Sequence, residues 1–571
     1  MLDEERLITL LKQTSKLLEY FDENKFKIAA YTKASEIIES YEGKFFELYN
    51  SGQYKNITGI GKGMQEFIKE FAETGTSTIY ENLTLKTPKE FFEMLKIKGL
   101  GIKKIQAIYS DLKIDTVKEL EEVCINKKIL EVKGISEKFC FDVLKEIERL
   151  KRDRNKLLLN KAEKIAKSFS LKFIEHFQDI KLSVTGELRR SCEVVSLIDF
   201  IVLVKNRNDF IDNLKSYFNV SNVDFFDYYI QTIINYENKA NIYLYIVDSE
   251  LDFTKVNFYK TGSVDFLTEI NKNKLEIDFS DESTIFASLG INYIKPEMRE
   301  YEALEYLGKI NFTNPIELND IRSLIHFHTT WSDGLATIEE MANNAIANGL
   351  DYFVVSDHSK TPIYANGLNE NRVIAQREEI EILRKDIKLN IFHGIESDIL
   401  PDGNLDYDDD FLKTFDFVIA SVHSKFDLSK DEMTKRIIKA IENPVTDVIG
   451  HVSGRILLRR NPYELDIYKI LDACVVNDVS IEINAAPSRL DLDWRYMYYA
   501  REKGVKFCIN PDAHSIGEIE MIKYGIKVAK KAGISKNEVI NCLSIDEFIK
   551  YINRKMNRKI TWSKNGLKRV N

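Results

Sequence analysis

Seven of the chain's eight histidines fall after residue 325, and most of them close a short hydrophobic run. The runs read "SLIHFHT", "YFVVSDH", "IFHGIES", "FVIASVH", "VIGHVSG", "VSIEINA" and "KFCINPDAH", and a helical stretch follows nearly every one. Repeated βα units of this length imply a barrel or a closely related layered fold, whose C-terminal strand ends meet at one face. The polar residues at those ends are His326, His328, Asp333, Asp357, His358, Glu396, His423, His451, Asp512 and His514. An HxH pair on a strand points both imidazoles to one side. Mixed imidazole and carboxylate donors suit manganese, zinc or iron better than magnesium, and several acids can bridge ions. The chemistry implied is hydrolysis, because clustered metals activate water and clamp a phosphoester oxygen. His393 and His176 read instead as core or surface histidines.

The stretch up to about residue 155 has a different character. Apolar residues recur at helical spacing through Leu7, Leu10, Leu11, Leu17 and Leu18. Three turns, "ITGIGKG" (57–63), "IKGLGIK" (97–103) and "VKGISEK" (132–138), each precede a helical pattern. This is a helix-hairpin-helix pattern, in which backbone N–H groups at a helix N-terminus face a DNA phosphate without reading sequence. The alternative is a plain connection with Gly as a C-cap. Gly59, Gly61, Gly99 and Gly101 carry the DNA-binding reading, whereas the third turn has Ser136 in place of its second Gly.

At 571 residues the chain is too long for one core, and about three or four domains are expected. A net charge of −9 gives no whole-protein attraction to phosphate, so DNA contact needs a local surface. Six scattered cysteines without a CxxC fit a reducing cytoplasm. The start "MLDEERLITLLKQTSKLL" is acidic and amphipathic rather than a signal peptide, and no apolar run suffices to cross a bilayer. Expected boundaries are 1–85 and 86–155 for two helix-hairpin-helix regions, 156–313 for a mixed α+β region, 314–321 for a linker and 322–571 for the barrel. The acidic "DYDDD" (406–410) reads as a solvated turn, and the basic end "NRKMNRKITWSKNGLKRVN" as a solvated tail or a nucleic-acid contact.

Residues 322–571 resemble a PHP (polymerase and histidinol phosphatase) domain through "HFHTTWSDG", "VVSDHS", "GIESDILPDG", "ASVHS", "GHVSGR" and "PDAHS", in the family's order. The whole chain resembles bacterial family X DNA polymerases, including "INYIKPEMREYEALE" near the junction. The resemblance implies a multidomain α/β protein: a helical helix-hairpin-helix region, a nucleotidyltransferase-like palm and a distorted (βα)7 barrel. It implies about three divalent ions, manganese first, with zinc or iron as alternatives. His326, His328, Glu396 and Asp512 would hold one ion, Glu396 with His423 and His451 a second, and Asp333, His358 and His514 a third. The same histidines and acids of the first two sites would be catalytic. The implied activity is a metal-dependent 3′–5′ exonuclease and phosphoesterase in DNA repair, acting on gapped, nicked or 3′-ended DNA, monomeric and cytoplasmic, with no membrane partner. Arg455 and Arg459 would face a phosphate or form a solvated basic turn.

The palm departs from the family pattern. Gly186, Arg189, Arg190 and Asp199 persist, but the family's Ser is Glu187 and the first Asp of its DxD pair is Leu197. The third carboxylate falls by count on Tyr243 or Leu244. Losing a buried charged partner costs about 3–5 kcal/mol, so two losses predict a fall in rate on the order of 10⁴ or more. No magnesium pair is expected there, and templated synthesis is expected to be absent or very weak. The family's lyase lysine falls on Phe67, which excludes a Schiff base at that position. The rival readings are an active gap-filling polymerase with exonuclease, and a DNA-end-binding module whose barrel cleaves only small phosphoesters.

Overall fold

The computed structural model describes residues 3–39, 41, 45–271, 277–555, 560–563 and 566–569. They form two compact units, Met1–Asn155 and Lys156–Asn571.

The first unit is helical. Its opening helix, Glu4–Tyr20, starts where Asp3 accepts the Arg6 N–H at 3.2 Å, and it buries Leu7, Leu10, Leu11, Leu17 and Leu18. The three glycine turns share one geometry, with Gly59, Gly99 and Gly134 at φ 95, 86 and 86. The helices that follow are Lys62–Thr74, Ile102–Leu112 and Glu137–Asp153. Their N-caps differ in a way that matters for anion contact. Gly61 and Gly101 offer no side-chain cap to the first turns; in the second helix the Lys104 N–H donates to the Gly101 carbonyl at 3.0 Å, which leaves those of Ile102 and Lys103 facing outward from the helix start. Ser136 accepts the Phe139 N–H at 3.2 Å and occupies the third terminus itself. Phe67 is buried.

In the second unit a five-stranded sheet comes first: β1 (Lys181–Thr185), β2 (Ile198–Leu203), β3 (Val220–Phe225), β4 (Ile230–Tyr236) and β5 (Ala240–Val247). Its spatial order is β1-β2-β5-β4-β3. Only the β2–β5 pair is parallel, and it sets Asp199 beside Tyr243. This mixed sheet lies in the region expected to be the palm and takes that name.

Seven parallel strands follow: β6 (Ser323–Leu324), β7 (Tyr352–Val355), β8 (Asn390–Asp398), β9 (Phe417–Ser421), β10 (Val448–Ile449), β11 (Ser480–Asn484) and β12 (Phe507–Asn510). They lie in sequence order. A bridge between Phe327 and Ala513, with His328 N–H on the Ala513 carbonyl at 2.8 Å, joins the two edges and nearly closes the barrel. The middle strands are buried along almost their whole length, as parallel strands covered on both faces must be. Their C-terminal ends converge, and the histidines end the strands there.

The stretch 314–321 is packed rather than free: Ile316 is buried and its N–H donates to the Ile534 carbonyl at 2.7 Å. Palm and barrel share polar contacts. Lys531, fully buried, donates to Glu300 at 3.0 Å and to the Arg190 carbonyl at 2.9 Å, and Trp494 donates to Glu193 at 3.2 Å. Within the basic tail β13 (Ile560–Ser563) pairs antiparallel with β14 (Gly566–Arg569), and their side chains, Trp562 included, lie outside the described residues. Among the described residues no helix is long and apolar enough to cross a membrane.

Candidate metal centre

Glu396, at the end of β8, is the hub of the barrel mouth. Its Oε1 lies 3.1 Å from His451 Nε2, 3.3 Å from His423 Nε2 and 3.4 Å from His326 Nε2, and its Oε2 lies 2.8 Å from His358 Nδ1. Asp512 Oδ1 stands 3.1 Å from His328 Nε2 and 3.6 Å from His326 Nε2. Asp333 gathers His328, His358 and His514 at 3.9, 3.7 and 3.5 Å. Three donor groups result: His326/His328/Asp512, His358/Glu396/His423 and His328/Asp333/His358/His514. All nine residues expected as ligands therefore come together. His358 lies between the Glu396 group and the Asp333 group.

The donors carry a signature of a missing positive partner. His326 Nε2, His328 Nδ1 and His451 Nδ1 are buried without a hydrogen-bond partner, as are His358 Nδ1 and Glu396 Oε2, which face each other at 2.8 Å without hydrogen-bond geometry. Leaving one such atom unsatisfied costs about 1–3 kcal/mol, so five in one pocket are not a packing accident. The donor set of imidazoles and carboxylates around an open mouth fits divalent metal ions.

Behind these donors stands a second layer of acids. Glu482 takes His326 Nδ1 at 2.6 Å, and Asp398 takes His423 Nδ1 at 3.0 Å, which fixes each ring with its Nε2 toward Glu396. Asp357 faces away: it accepts from Thr329 N and Oγ1 at 2.7 Å and from Gln376 at 2.6 Å, and so it shapes the loop carrying Asp333. His393 pairs with Gln376 at 3.1 Å in the core, and His176 stacks on Tyr217.

Charge in the pocket is strongly biased. Burial opposes charge on His326, yet Glu482, Asp512 and Glu396 outweigh it and hold the imidazole well above its usual value. Burial likewise opposes the Glu396 carboxylate, and His423, His326 and His358 hold it well below the usual range. His328 goes the other way, down to about 4, through burial and then the charges of His358 and His514.

Among the described residues, Arg489 brings a cation to the cluster. Arg489 Nε lies 3.8 Å from Asp512 Oδ2. Arg455, in contrast, is neither a phosphate ligand nor a solvated turn. It is buried and donates to Asp493 at 2.6 Å, to the Arg489 carbonyl at 2.9 Å and to the Leu490 carbonyl, so it fixes the backbone that presents Arg489. Arg459 is exposed.

The palm is organised quite differently. Gly186, at φ 65, passes so close to Asp199 that an added Cβ would lie 2.2 Å from Oδ2. Tyr245 donates to Asp199 Oδ1 at 3.1 Å, and Lys260 stands 4.4 Å over the Tyr245 ring. The strand alternation makes Tyr245, two residues beyond Tyr243, the residue that reaches the acid. Glu187 accepts the N–H groups of Ser196 and Leu197, at 2.5 and 3.3 Å. Arg189 is bidentate to Glu282, at 2.6 and 3.0 Å, and Arg190 pairs with Glu300 at 2.9 Å. Both arginines are thus engaged within the protein, although each acid is shared: Glu282 also takes Arg299, at 3.1 and 2.9 Å, and Glu300 also takes Lys531.

Over 570 residues the chain is 31% identical to the DNA polymerase/3′-5′ exonuclease PolX of Bacillus subtilis (strain 168), covering 96% of this chain and 99% of that protein. The chain belongs to the PolX family. Residues 3–77 match the helix-hairpin-helix domain and residues 325–486 the PHP domain. The barrel alone is also similar to a probable phosphatase of Thermoanaerobacter sp. (strain X514), 34% over 245 residues, which are 40% of this chain and 95% of that protein. A probable phosphatase of Acetivibrio thermocellus is 30% identical over 246 residues. As a PolX member with a PHP domain, the chain carries the phosphoesterase part of the family's architecture on the metal-type donor set described above.

Sequence reading missed Asp398, Glu482, Arg489 and Tyr245. Asp398 sits two residues after Glu396 on one strand, so alternation alone places both on the same face. Nothing local marks the other three, whose partners lie far away in sequence.

Proposed function

We propose that this chain is a metal-dependent 3′–5′ exonuclease and phosphoesterase acting on DNA ends, without templated synthesis of its own. The carrying observation is Glu396 with four imidazoles within 3.4 Å of its two oxygens. His326, His328, Glu396 and Asp512, then Glu396 with His423 and His451, then Asp333, His358 and His514 would hold about three ions, with manganese as the first candidate. When bound, such ions activate water and polarise a phosphoryl oxygen. The chain's own residues orient the reaction: Glu482 and Asp398 fix the His326 and His423 rings, and Arg489 receives a phosphate oxygen beside Asp512. Water oxygen bonds to phosphorus, the bond from phosphorus to the preceding 3′-oxygen breaks, and that oxygen takes the proton.

The palm supports the second half of the proposal. Asp199 is bonded by a phenol that lies under a lysine ammonium, and Arg189 and Arg190 are bonded to Glu282 and Glu300. The open turns at Gly61 and Gly101 would hold the DNA backbone of gapped, nicked or 3′-ended substrates. We further propose a monomeric, cytoplasmic protein with the finer boundaries near residues 85 and 313.

The similarity of the barrel to probable phosphatases favours one further reading, hydrolysis of small phosphoesters at the same centre. Manganese-dependent release of a labelled 3′ nucleotide, absent in Glu396→Ala, tests the main reading. Unchanged release in that variant removes it.

A further inference from the structure

The loop after His358, residues 359–368, carries large apolar exposure beside the cluster. Its stem is fixed on both sides. Thr361 donates its N–H at 2.6 Å and its hydroxyl to Asp406, so the "DYDDD" segment is in part a clamp rather than a solvated turn. Leu368 N–H donates to the His358 carbonyl at 2.9 Å. Arg372 donates to the carbonyls of Asn366 at 2.6 Å and Gly367 at 3.1 Å, and to that of Trp331. On this held stem Ile363 and Tyr364 are 86% and 77% exposed.

Two adjacent exposed apolar side chains on an anchored turn beside the donor cluster offer a surface for a ligand that reaches it. Among the described residues no hydrogen bond or ring contact engages Tyr364. The loop springs from the cluster itself, since His358 bridges Glu396 through the backbone and Ser359 bridges Leu368; burial first, then the negative charge of Glu396, Asp398 and Asp333, raises the Tyr364 phenol. It also feels the charge of Arg489.

We propose that Tyr364 is a stacking platform for the 3′-terminal base of a single-stranded nucleic-acid end, held while its phosphate meets the Glu396 cluster. Ile363 widens the apolar contact. This rests on the exonuclease reading of the same centre and adds what selects a nucleotide over a small aliphatic phosphoester. The base leaves on the released mononucleotide, so stacking acts on substrate capture and needs no sequence readout.

The test compares an oligonucleotide ending in a base with one whose last nucleotide is abasic. In manganese, the intact protein should show a kcat/KM about ten-fold higher for the base-ended strand. Tyr364→Ala should bring that strand down to the abasic level, through KM, and leave the abasic strand unchanged. Tyr364→Trp should restore the preference. Binding of a labelled trinucleotide to EDTA-treated protein, read by anisotropy, should show the same base preference and its loss in Tyr364→Ala. Equal loss on both strands, or no loss on either, overturns the proposal. Should the intact protein release nucleotide from neither strand, the exonuclease reading fails, and the binding preference still decides the stacking role.

Discussion

Tyr245 donates its phenolic proton to Asp199 Oδ1 across 3.1 Å, on the strand where a palm needs its third carboxylate. The pairing turns a metal ligand into a buried, singly satisfied acid. Burial first, then the charge of Glu187, raises the Asp199 carboxyl to about 6, against the hydrogen bond from Tyr245.

That shift has a sign that can be measured. The folded protein keeps the Asp199 proton where the unfolded chain has released it. Its stabilising effect is therefore full below about pH 3.8 and is lost as pH rises through about 6. Asp199→Asn keeps an acceptor for Tyr245 and never acquires the charge. It should melt higher than the parent at pH 8, by a free energy on the order of 2–3 kcal/mol, and match it near pH 4. Calorimetry at the two pH values checks this, and equal melting at pH 8 contradicts the buried-acid account.

A palm built this way should not extend a primer. Arg189 and Arg190 would have to leave Glu282 and Glu300, to which they are bonded at 2.6 and 2.9 Å, before either met a triphosphate. Extension of a gapped duplex with dNTPs and magnesium should stay at background, in the parent and in Asp199→Ala alike. Extension by the parent that Asp199→Ala abolishes would restore the polymerase reading.

In the barrel, removing the hub should act on metal and rate together. Glu396→Gln should lower bound metal per chain and cut nucleotide release by about 100-fold or more. Asp398→Asn leaves every direct donor in place and weakens the hold on His423, whose ring and backbone N–H both meet Asp398 Oδ1, at 3.0 and 3.2 Å. It should need roughly 10–100-fold more manganese for half-maximal rate, with the maximum nearly regained. Metal analysis and a manganese titration separate the two, and identical behaviour of both variants contradicts the two-layer arrangement.

The donors were legible because strand alternation and the barrel rule are local. His326 and His328 flank a core Phe327, and Glu396 ends a buried strand. What holds them was not legible. Glu482 reaches His326 from 156 residues away, and Arg455 reads as a basic turn until the carbonyls of Arg489 and Leu490 fold onto it. The palm shows the same division. Leu197 and Glu187 were visible as departures, but the residue that reaches Asp199 depended on the β2–β5 register, which places Tyr243 beside it and Tyr245 in contact. Asp406 misled because a run of acids looks solvated, while its own carboxylate is buried under Thr361.

The last expectation concerns the helical unit. Met1–Asn155 is compact in its own right, and its two uncapped turns present open N–H groups without a strongly basic surface in the chain's overall charge. Phosphate contacts of this kind add affinity without specificity and weaken with salt. A protein lacking residues 1–155 should show a KM for gapped DNA raised about ten-fold, a shallower dependence of KM on salt, and an unchanged kcat. Its hydrolysis of p-nitrophenyl phosphate should not change, because Glu396 and its imidazoles lie wholly in the second unit. Equal losses on both substrates would mean that the helical unit supports the barrel rather than the DNA.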